Sequence, residues 1–118
     1  MITLYEYPKC TTCRKGRKFL EENDVDFQAH DMVQAPPSKE KLKEIISKSG
    51  NDIDDFFNKR GKKFKELELR DRLPSMSDDE KVDMLSSDGM LIRRPLAYDG
   101  EQVLLGFRED VWQKAFTG

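Results

Sequence analysis

The sequence contains few histidine and cysteine ligands for metals, with one histidine and two cysteines among 118 residues. A structural zinc site needs four ligands, which His30, Cys10 and Cys13 together do not supply. The apolar runs are all far shorter than the ~20 residues that span a bilayer. We therefore expect neither a bound metal nor a transmembrane helix, and nothing in the sequence implies an organic cofactor.

An excess of positive charge is also lacking, since 21 lysines and arginines are balanced by 23 acids and the formal net charge is −2. Proteins that bind nucleic acid unaided usually carry a basic excess, so direct nucleic-acid binding is not expected. A chain of 118 residues suits one domain, because most domains contain ~100–150 residues. We expect a single domain over residues 1–118 and a monomeric protein.

The first residues, MITLYEYPKC, show neither the basic start nor the apolar stretch of a secretory leader. We therefore expect a cytoplasmic protein. Thiols in the cytoplasm are kept reduced, and structural disulfides are rare there. Cys10 and Cys13 consequently need an explanation other than a structural disulfide.

The chain begins with a strand, a helix and a second strand. Residues 2–7 are β-branched and aromatic, which predicts a strand. Residues 11–23 carry the apolar face of a helix, and residues 25–29 alternate like a short strand. This β-α-β order favours a parallel pair of strands.

The middle of the chain, from about residue 38 to 88, is predicted to be a helical insert. Ser38 is a predicted N-cap, and Gly50 is predicted to end the helix that follows. Ser77 and Glu80 have the spacing of a capping box, which predicts another helix start. Apolar residues between these helices predict further short helices or irregular packed chain.

The end of the chain returns to strands at residues 90–92, 96–98 and 102–106, followed by a helix over 109–116. The turn between the last two strands is predicted at Asp99 and Gly100. The order of elements predicts an α/β protein with a thioredoxin-like fold and an inserted helical region.

The two cysteines lie where the first strand turns into the first helix. At a helix start, free N–H groups and the helix dipole stabilise a thiolate at Cys10, and the nearby cations Lys9, Arg14 and Lys15 favour the same charge. Cys13 follows about one helical turn later, where its sulfur can resolve a mixed disulfide. The alternatives are two inert buried cysteines or half of a zinc site.

A second notable segment is Arg93-Arg94-Pro95. Proline within sheet-like sequence belongs at an edge or a special turn. In thioredoxin-like proteins such a loop contains a cis-proline and faces the reactive cysteine. The arginines are then placed to hold an oxyanion or to stabilise a thiolate. The alternative is two ordinary surface arginines before an edge proline.

Five segments together resemble the ArsC/Spx family, in particular its YusI-type branch. They are YPKCTTCRK near the start, APPS at 35–38, DFFN at 55–58, GMLIRRPL at 89–96 and LLGFRED at 104–110. The resemblance extends over nearly the whole chain. It implies a thioredoxin fold with helices inserted in the middle.

The resemblance also implies roles for individual residues. Cys10 is the expected nucleophile, Cys13 the second redox cysteine, and Arg94 the cation beside them. Pro95, Arg60, Thr11 and Thr12 are expected to bind substrate.

Arsenate reductases of this family grip their oxyanion with several arginines. Two of those positions fall on Asn58 and near Phe107 here, with Arg60 and Arg108 close by in sequence. Of the family's arginines, only Arg94 therefore has a clear counterpart in this chain.

Two functions follow from the resemblance. The first is a thiol-based oxidoreductase, either arsenate reductase-like or a thiol–disulfide oxidoreductase. An external thiol reductant, glutaredoxin or the thioredoxin system, would supply its electrons. The alternative is a Spx-like transcriptional regulator that binds RNA polymerase and uses the cysteine pair as a redox switch.

Overall fold

The computed structural model describes residues 2–116, which divide into two compact units. One unit contains residues 2–31 and 94–116, and the other contains residues 32–93. Within residues 2–116, no helix combines the length and the apolar composition needed to cross a membrane.

The first unit contains a mixed four-stranded sheet with the order β2-β1-β3-β4. The strands are β1 (Ile2–Glu6), β2 (Phe27–Asp31), β3 (Leu96–Tyr98) and β4 (Val103–Leu105). As predicted, β1 and β2 are parallel. β3 pairs antiparallel with both β1 and β4.

Two helices complete this unit, α1 (Thr11–Glu22) and α6 (Glu109–Phe116). The buried positions of α1 recur at helical spacing, which gives the helix one inward face. Leu20 of that face and Trp112 of α6 lie in the same apolar core as Leu4 of β1. The Trp112 indole N–H donates to the carbonyl of Gly106 at 3.1 Å, so its polar atom is satisfied inside the core.

The second unit is helical. It consists of α2 (Lys39–Ser49), a 3₁₀ helix (Ile53–Phe56), α3 (Lys62–Glu66), α4 (Leu69–Arg72), a 3₁₀ turn (Leu73–Ser75), α5 (Asp78–Ser87) and a 3₁₀ helix (Gly89–Leu91).

The predicted helix ends of this unit are confirmed. The Ser38 side chain accepts the N–H of Lys41, and Gly50 ends α2 with φ of 70°. Ser77 and Glu80 form the predicted capping box at the start of α5.

Two sequence predictions of strands need correction. The second strand covers Phe27–Asp31 and not residues 25–29, because Val25 still belongs to the turn and its N–H donates to the carbonyl of Leu20. The strand predicted at 90–92 is wrong, since Gly89–Leu91 forms a 3₁₀ helix. The side chain of Asp88 accepts the N–H of Met90 and turns the chain there.

The order of elements is β-α-β, then helices, then an antiparallel strand pair and a final helix. The predicted thioredoxin-like α/β fold is thereby confirmed. The single-domain extent and the insert limits of about 38 and 88 stay predictions. The helical unit described here covers residues 32–93.

Candidate active site

The chain leaves β1 through a short turn that places Cys10 directly before α1. The Cys10 N–H donates to the carbonyl of Tyr7 at 2.9 Å, which closes the turn. Cys10 is the N-cap of α1, with extended backbone angles of φ −85° and ψ 124°. Its carbonyl accepts the N–H of Arg14 at 3.1 Å and so begins the helical hydrogen bonding.

The start of α1 and the charge of Arg94 both act on the half-buried Cys10 sulfur. Burial alone would raise the pKa of Cys10. The N–H and the thiol of Cys13, the charge of Arg94 and the N–H of Thr12 outweigh that effect, and the pKa of Cys10 lies below that of an ordinary thiol. The amides involved are among the free N–H groups of the helix start. Cys10 is therefore set up as a thiolate nucleophile.

Cys13 behaves in the opposite way because it faces the core. Its side chain is fully buried, on the same face of α1 as Gly16 and Leu20. The Tyr7 N–H points at its sulfur from 3.5 Å. Burial raises the pKa of Cys13 to about 12, so this thiol keeps its proton at neutral pH.

The Arg94–Pro95 peptide bond is cis, as the resemblance implies. The positive charge of Arg94 lowers the pKa of both cysteines, which places its guanidinium beside the pair. The Pro95 carbonyl accepts the N–H of Gly106 at 2.8 Å. A Cβ atom on Gly16 would lie 3.2 Å from Cγ of Pro95, so the proline ring packs directly on α1.

The other predicted site residues lie in different parts of the structure. Thr11 and Thr12 are exposed at the start of α1, and the backbone N–H of Thr12 helps to lower the pKa of Cys10. Arg60 is exposed in the helical unit, next to Gly61 at the start of α3. Substrate binding by these residues and by Pro95 stays a prediction.

Of the cations that flank the cysteines in sequence, Arg14 is exposed and its Nε donates to the carbonyl of Pro8 at 2.9 Å. That bond stabilises the turn before the helix. Lys9 and Lys15 are also exposed.

Two features of this region were missed by sequence reasoning. The first is Tyr7, which contacts both cysteines through its backbone and lies under the Arg94 guanidinium, 5.4 Å from ring centroid to Cζ. The second is an ion pair between the buried carboxylate of Glu6, at the end of β1, and the partly exposed Arg17 of α1. A glutamate inside an apolar strand was the available signal for the second feature.

An open groove of about 600 Å³ runs along α1 from Thr12. Lys15 and Lys18 line it on the helix, while Phe107 and Glu109 line the other wall. Thr12, which lines the groove, is two residues from the candidate nucleophile Cys10 in sequence.

Within residues 2–116, no group of three or more His, Cys, Asp or Glu side chains is arranged to hold a metal ion. The chemistry available at this site is that of two unequal thiols and one cation. A thiolate can attack an electrophilic sulfur or a similar centre, and a neighbouring thiol that gives up its proton can then attack the resulting disulfide and release the substrate.

Comparison with known proteins supports the resemblance drawn from the motifs. The sequence model of the ArsC family matches residues 5–115. YusI from Bacillus subtilis (strain 168) is 50% identical over 113 residues, covering 96% of this chain and 96% of YusI. The global transcriptional regulator Spx from Streptococcus pyogenes serotype M1 is 36% identical over 110 residues, covering 93% of this chain and 81% of Spx.

Solved structures agree with the sequence relatives. The crystal structure of a possible arsenate reductase from Streptococcus mutans UA159 has a TM-score of 0.90 and 37% identity, and the match covers 98% of each chain. The family match extends over nearly all of the sequence, and the fold matches a solved structure over the same extent. The chain therefore belongs to the ArsC family.

Proposed function

We propose that the protein is a cytoplasmic, monomeric thiol–disulfide oxidoreductase. The observation that carries this proposal is the asymmetry of the cysteine pair. Cys10 is half-buried at the start of α1 with a lowered pKa, whereas the adjacent Cys13 is fully buried with a raised pKa. One thiol is suited to attack, and the other to hold its proton until a disulfide forms next to it.

The first step is attack of the Cys10 thiolate on one sulfur of a substrate disulfide. A bond forms between Cys10 and that sulfur, and the substrate S–S bond breaks. The second substrate sulfur leaves as a thiolate and takes a proton from solvent. Arg94 stabilises the negative charge that is shared among the three sulfurs during this exchange.

The second step is attack of Cys13 on the Cys10 sulfur. Cys13 loses its proton, a Cys10–Cys13 disulfide forms, and the remaining substrate sulfur leaves as a thiol after taking up that proton. Two electrons have then passed from the protein to the substrate. An external thiol reductant, a glutaredoxin or a thioredoxin system, returns two electrons and restores both thiols.

The surroundings of Cys10 suit a bulky substrate. The groove that begins at Thr12 can receive an extended segment, and we assign substrate contacts to Thr11, Thr12 and the Pro95 loop. Arg60 is assigned to the same role on the resemblance alone.

Single-cysteine variants test this proposal. After incubation with oxidised glutathione, Cys13→Ser is expected to retain one glutathione on Cys10, whereas the wild-type protein releases it and forms the internal disulfide. Cys10→Ser is expected to stay unmodified at neutral pH. Intact-mass measurement distinguishes these products. Release of glutathione by Cys13→Ser as in wild type, or modification of Cys10→Ser as fast as wild type, would contradict the two-thiol cycle.

Arsenate is a further substrate to test, because a possible arsenate reductase shares the fold at 37% identity. Arsenate reduction with glutaredoxin and glutathione present would extend the proposal to this oxyanion. No turnover would restrict the protein to disulfide substrates.

A regulatory function is the second candidate, supported by 36% identity to a global transcriptional regulator. In this case the protein binds RNA polymerase, and oxidation of Cys10 and Cys13 alters the binding. Purified RNA polymerase and the protein in its reduced and oxidised forms provide the test. A complex with RNA polymerase that depends on the redox state supports the regulatory function. The absence of a complex in both redox states contradicts that function.

A further inference from the structure

Tyr7 contacts each of the three groups that form the candidate site. Its carbonyl accepts the N–H of Cys10 at 2.9 Å. Its N–H points at the sulfur of Cys13 from 3.5 Å. Its ring lies under the Arg94 guanidinium, at 5.4 Å from Cζ to the ring centroid.

These contacts divide between backbone and side chain. The two contacts with the cysteines use backbone atoms, which almost any residue at position 7 would supply. The contact with Arg94 uses the ring alone. A substitution at position 7 therefore separates the contribution of the ring from that of the turn.

The ring restricts the position of a long, flexible cation. An aromatic face carries partial negative charge and attracts a guanidinium that lies over it. An arginine side chain has several rotatable bonds, and its charge acts on Cys10 only while it stays close. A ring beneath the guanidinium keeps that charge beside the sulfur.

We propose that Tyr7 is a positioning residue whose ring holds the Arg94 guanidinium near Cys10 and thereby sets the reactivity of the Cys10 sulfur. The inference rests on the proposed function in one respect, namely that Cys10 is the reacting group. The titratable and charged groups that act on Cys10 are Arg94, from the loop before β3, and Cys13, from α1. The tyrosine hydroxyl has no part in this role, so phenylalanine should replace tyrosine.

The test is the pH dependence of Cys10 alkylation by iodoacetamide, followed by mass spectrometry of the peptide. Tyr7→Leu and Tyr7→Met are expected to raise the pH midpoint and to slow alkylation at neutral pH by about two- to fivefold, as expected for loss of a cation–π contact. Tyr7→Phe should retain the wild-type midpoint. Two aliphatic variants are used because one of them could fail to fold. Circular dichroism identifies the folded variant.

The decisive control is the same substitution without the arginine. In an Arg94→Gln background, Tyr7→Leu should cause no further change, because the ring then has no cation to hold. An unchanged midpoint in folded Tyr7→Leu, or an equal shift with and without Arg94, would overturn the proposal. Alkylation involves no disulfide substrate, so this result is independent of whether Cys13→Ser retains glutathione.

Discussion

Cys10 and Cys13 lie one helical turn apart at the start of α1, and the pKa values of the two residues shift in opposite directions. Their positions on α1 explain the difference. Cys10 is the half-buried N-cap, where the amides of the helix start help to lower its pKa. Cys13 lies one turn further along the chain and faces the core. One helical turn thus gives two thiols of different reactivity.

The raised pKa of Cys13 predicts a loss of stability at alkaline pH. The unfolded chain releases this proton near the ordinary thiol pKa of ~8.5. The folded protein keeps the proton up to about 12. Between these values the folded state binds more protons, so the free energy of unfolding falls by up to about 1.4 kcal/mol per pH unit.

Urea unfolding between pH 8.5 and 10 under reducing conditions measures this effect. Cys13→Ser should lose less stability over this range than wild type, because serine does not ionise. Cys10→Ser should follow wild type, since the contribution of a lowered pKa is already complete above ~8.5. Parallel loss of stability in Cys13→Ser and wild type would show that Cys13 ionises normally.

The charge of Arg94 predicts a preference for anionic reagents at Cys10. The quantity to compare is the rate ratio, the rate with anionic iodoacetate divided by the rate with neutral iodoacetamide. In wild type, this rate ratio should be higher for Cys10 than for a free thiol. Arg94→Gln should reduce this rate ratio about two- to fivefold, because a single charge near the sulfur is lost. Arg93→Gln is the matched control, since Arg93 is an exposed neighbour in sequence. Equal ratios for both variants would contradict a specific role of Arg94.

The ion pair between the buried Glu6 and the partly exposed Arg17 predicts a difference between two neighbouring cations of α1. Only 4% of the Glu6 side chain is exposed, so Arg17→Met leaves a buried carboxylate without its partner. We expect a loss of about 2 kcal/mol in the free energy of unfolding. Lys18→Met is the control. Lys18 pairs with Glu22 on the surface, and that loss should stay below about 0.5 kcal/mol. Equal losses would mean that burial of Glu6 does not matter.

The close packing around Gly89 predicts a difference in the free energy of unfolding between two Gly→Ala substitutions. A Cβ atom there would lie 1.8 Å from the carbonyl oxygen of Met32, and a backbone atom cannot move aside easily. Gly89→Ala should therefore lower the free energy of unfolding by about 3 kcal/mol. Gly50→Ala, at a site with φ of +70° and open space, should cost only about 1 kcal/mol. Thermal or urea unfolding of both variants decides the comparison, and a milder effect at Gly89 would be inconsistent with the close approach.

The sequence was most informative where local chemistry decides the structure. The caps at Ser38, Gly50 and Ser77 depend on hydrogen bonds and backbone angles within a few residues, and all three were predicted correctly. The position of Cys10 at a helix start follows from the same local signals. These features need no knowledge of distant parts of the chain.

Features that depend on distant residues were not accessible in this way. Residues 90–92 are apolar and resemble a strand, but the turn there follows from the Asp88 cap and the close approach of Gly89 to Met32. The stacking of Arg94 on Tyr7 joins residues that are far apart in sequence. The partner of Glu6 likewise became known only once β1 and α1 were placed together.

The central claim is that Cys10 loses its proton more readily than an ordinary thiol while Cys13 stays protonated. The most direct measurement is the rate of iodoacetamide alkylation at each cysteine of the reduced wild-type protein as a function of pH, resolved by peptide mass spectrometry. The account predicts a Cys10 midpoint below the ~8.5 of an ordinary thiol and negligible reaction of Cys13 up to pH 9. A Cys10 midpoint at or above ~8.5, or equal rates at the two cysteines, would contradict it.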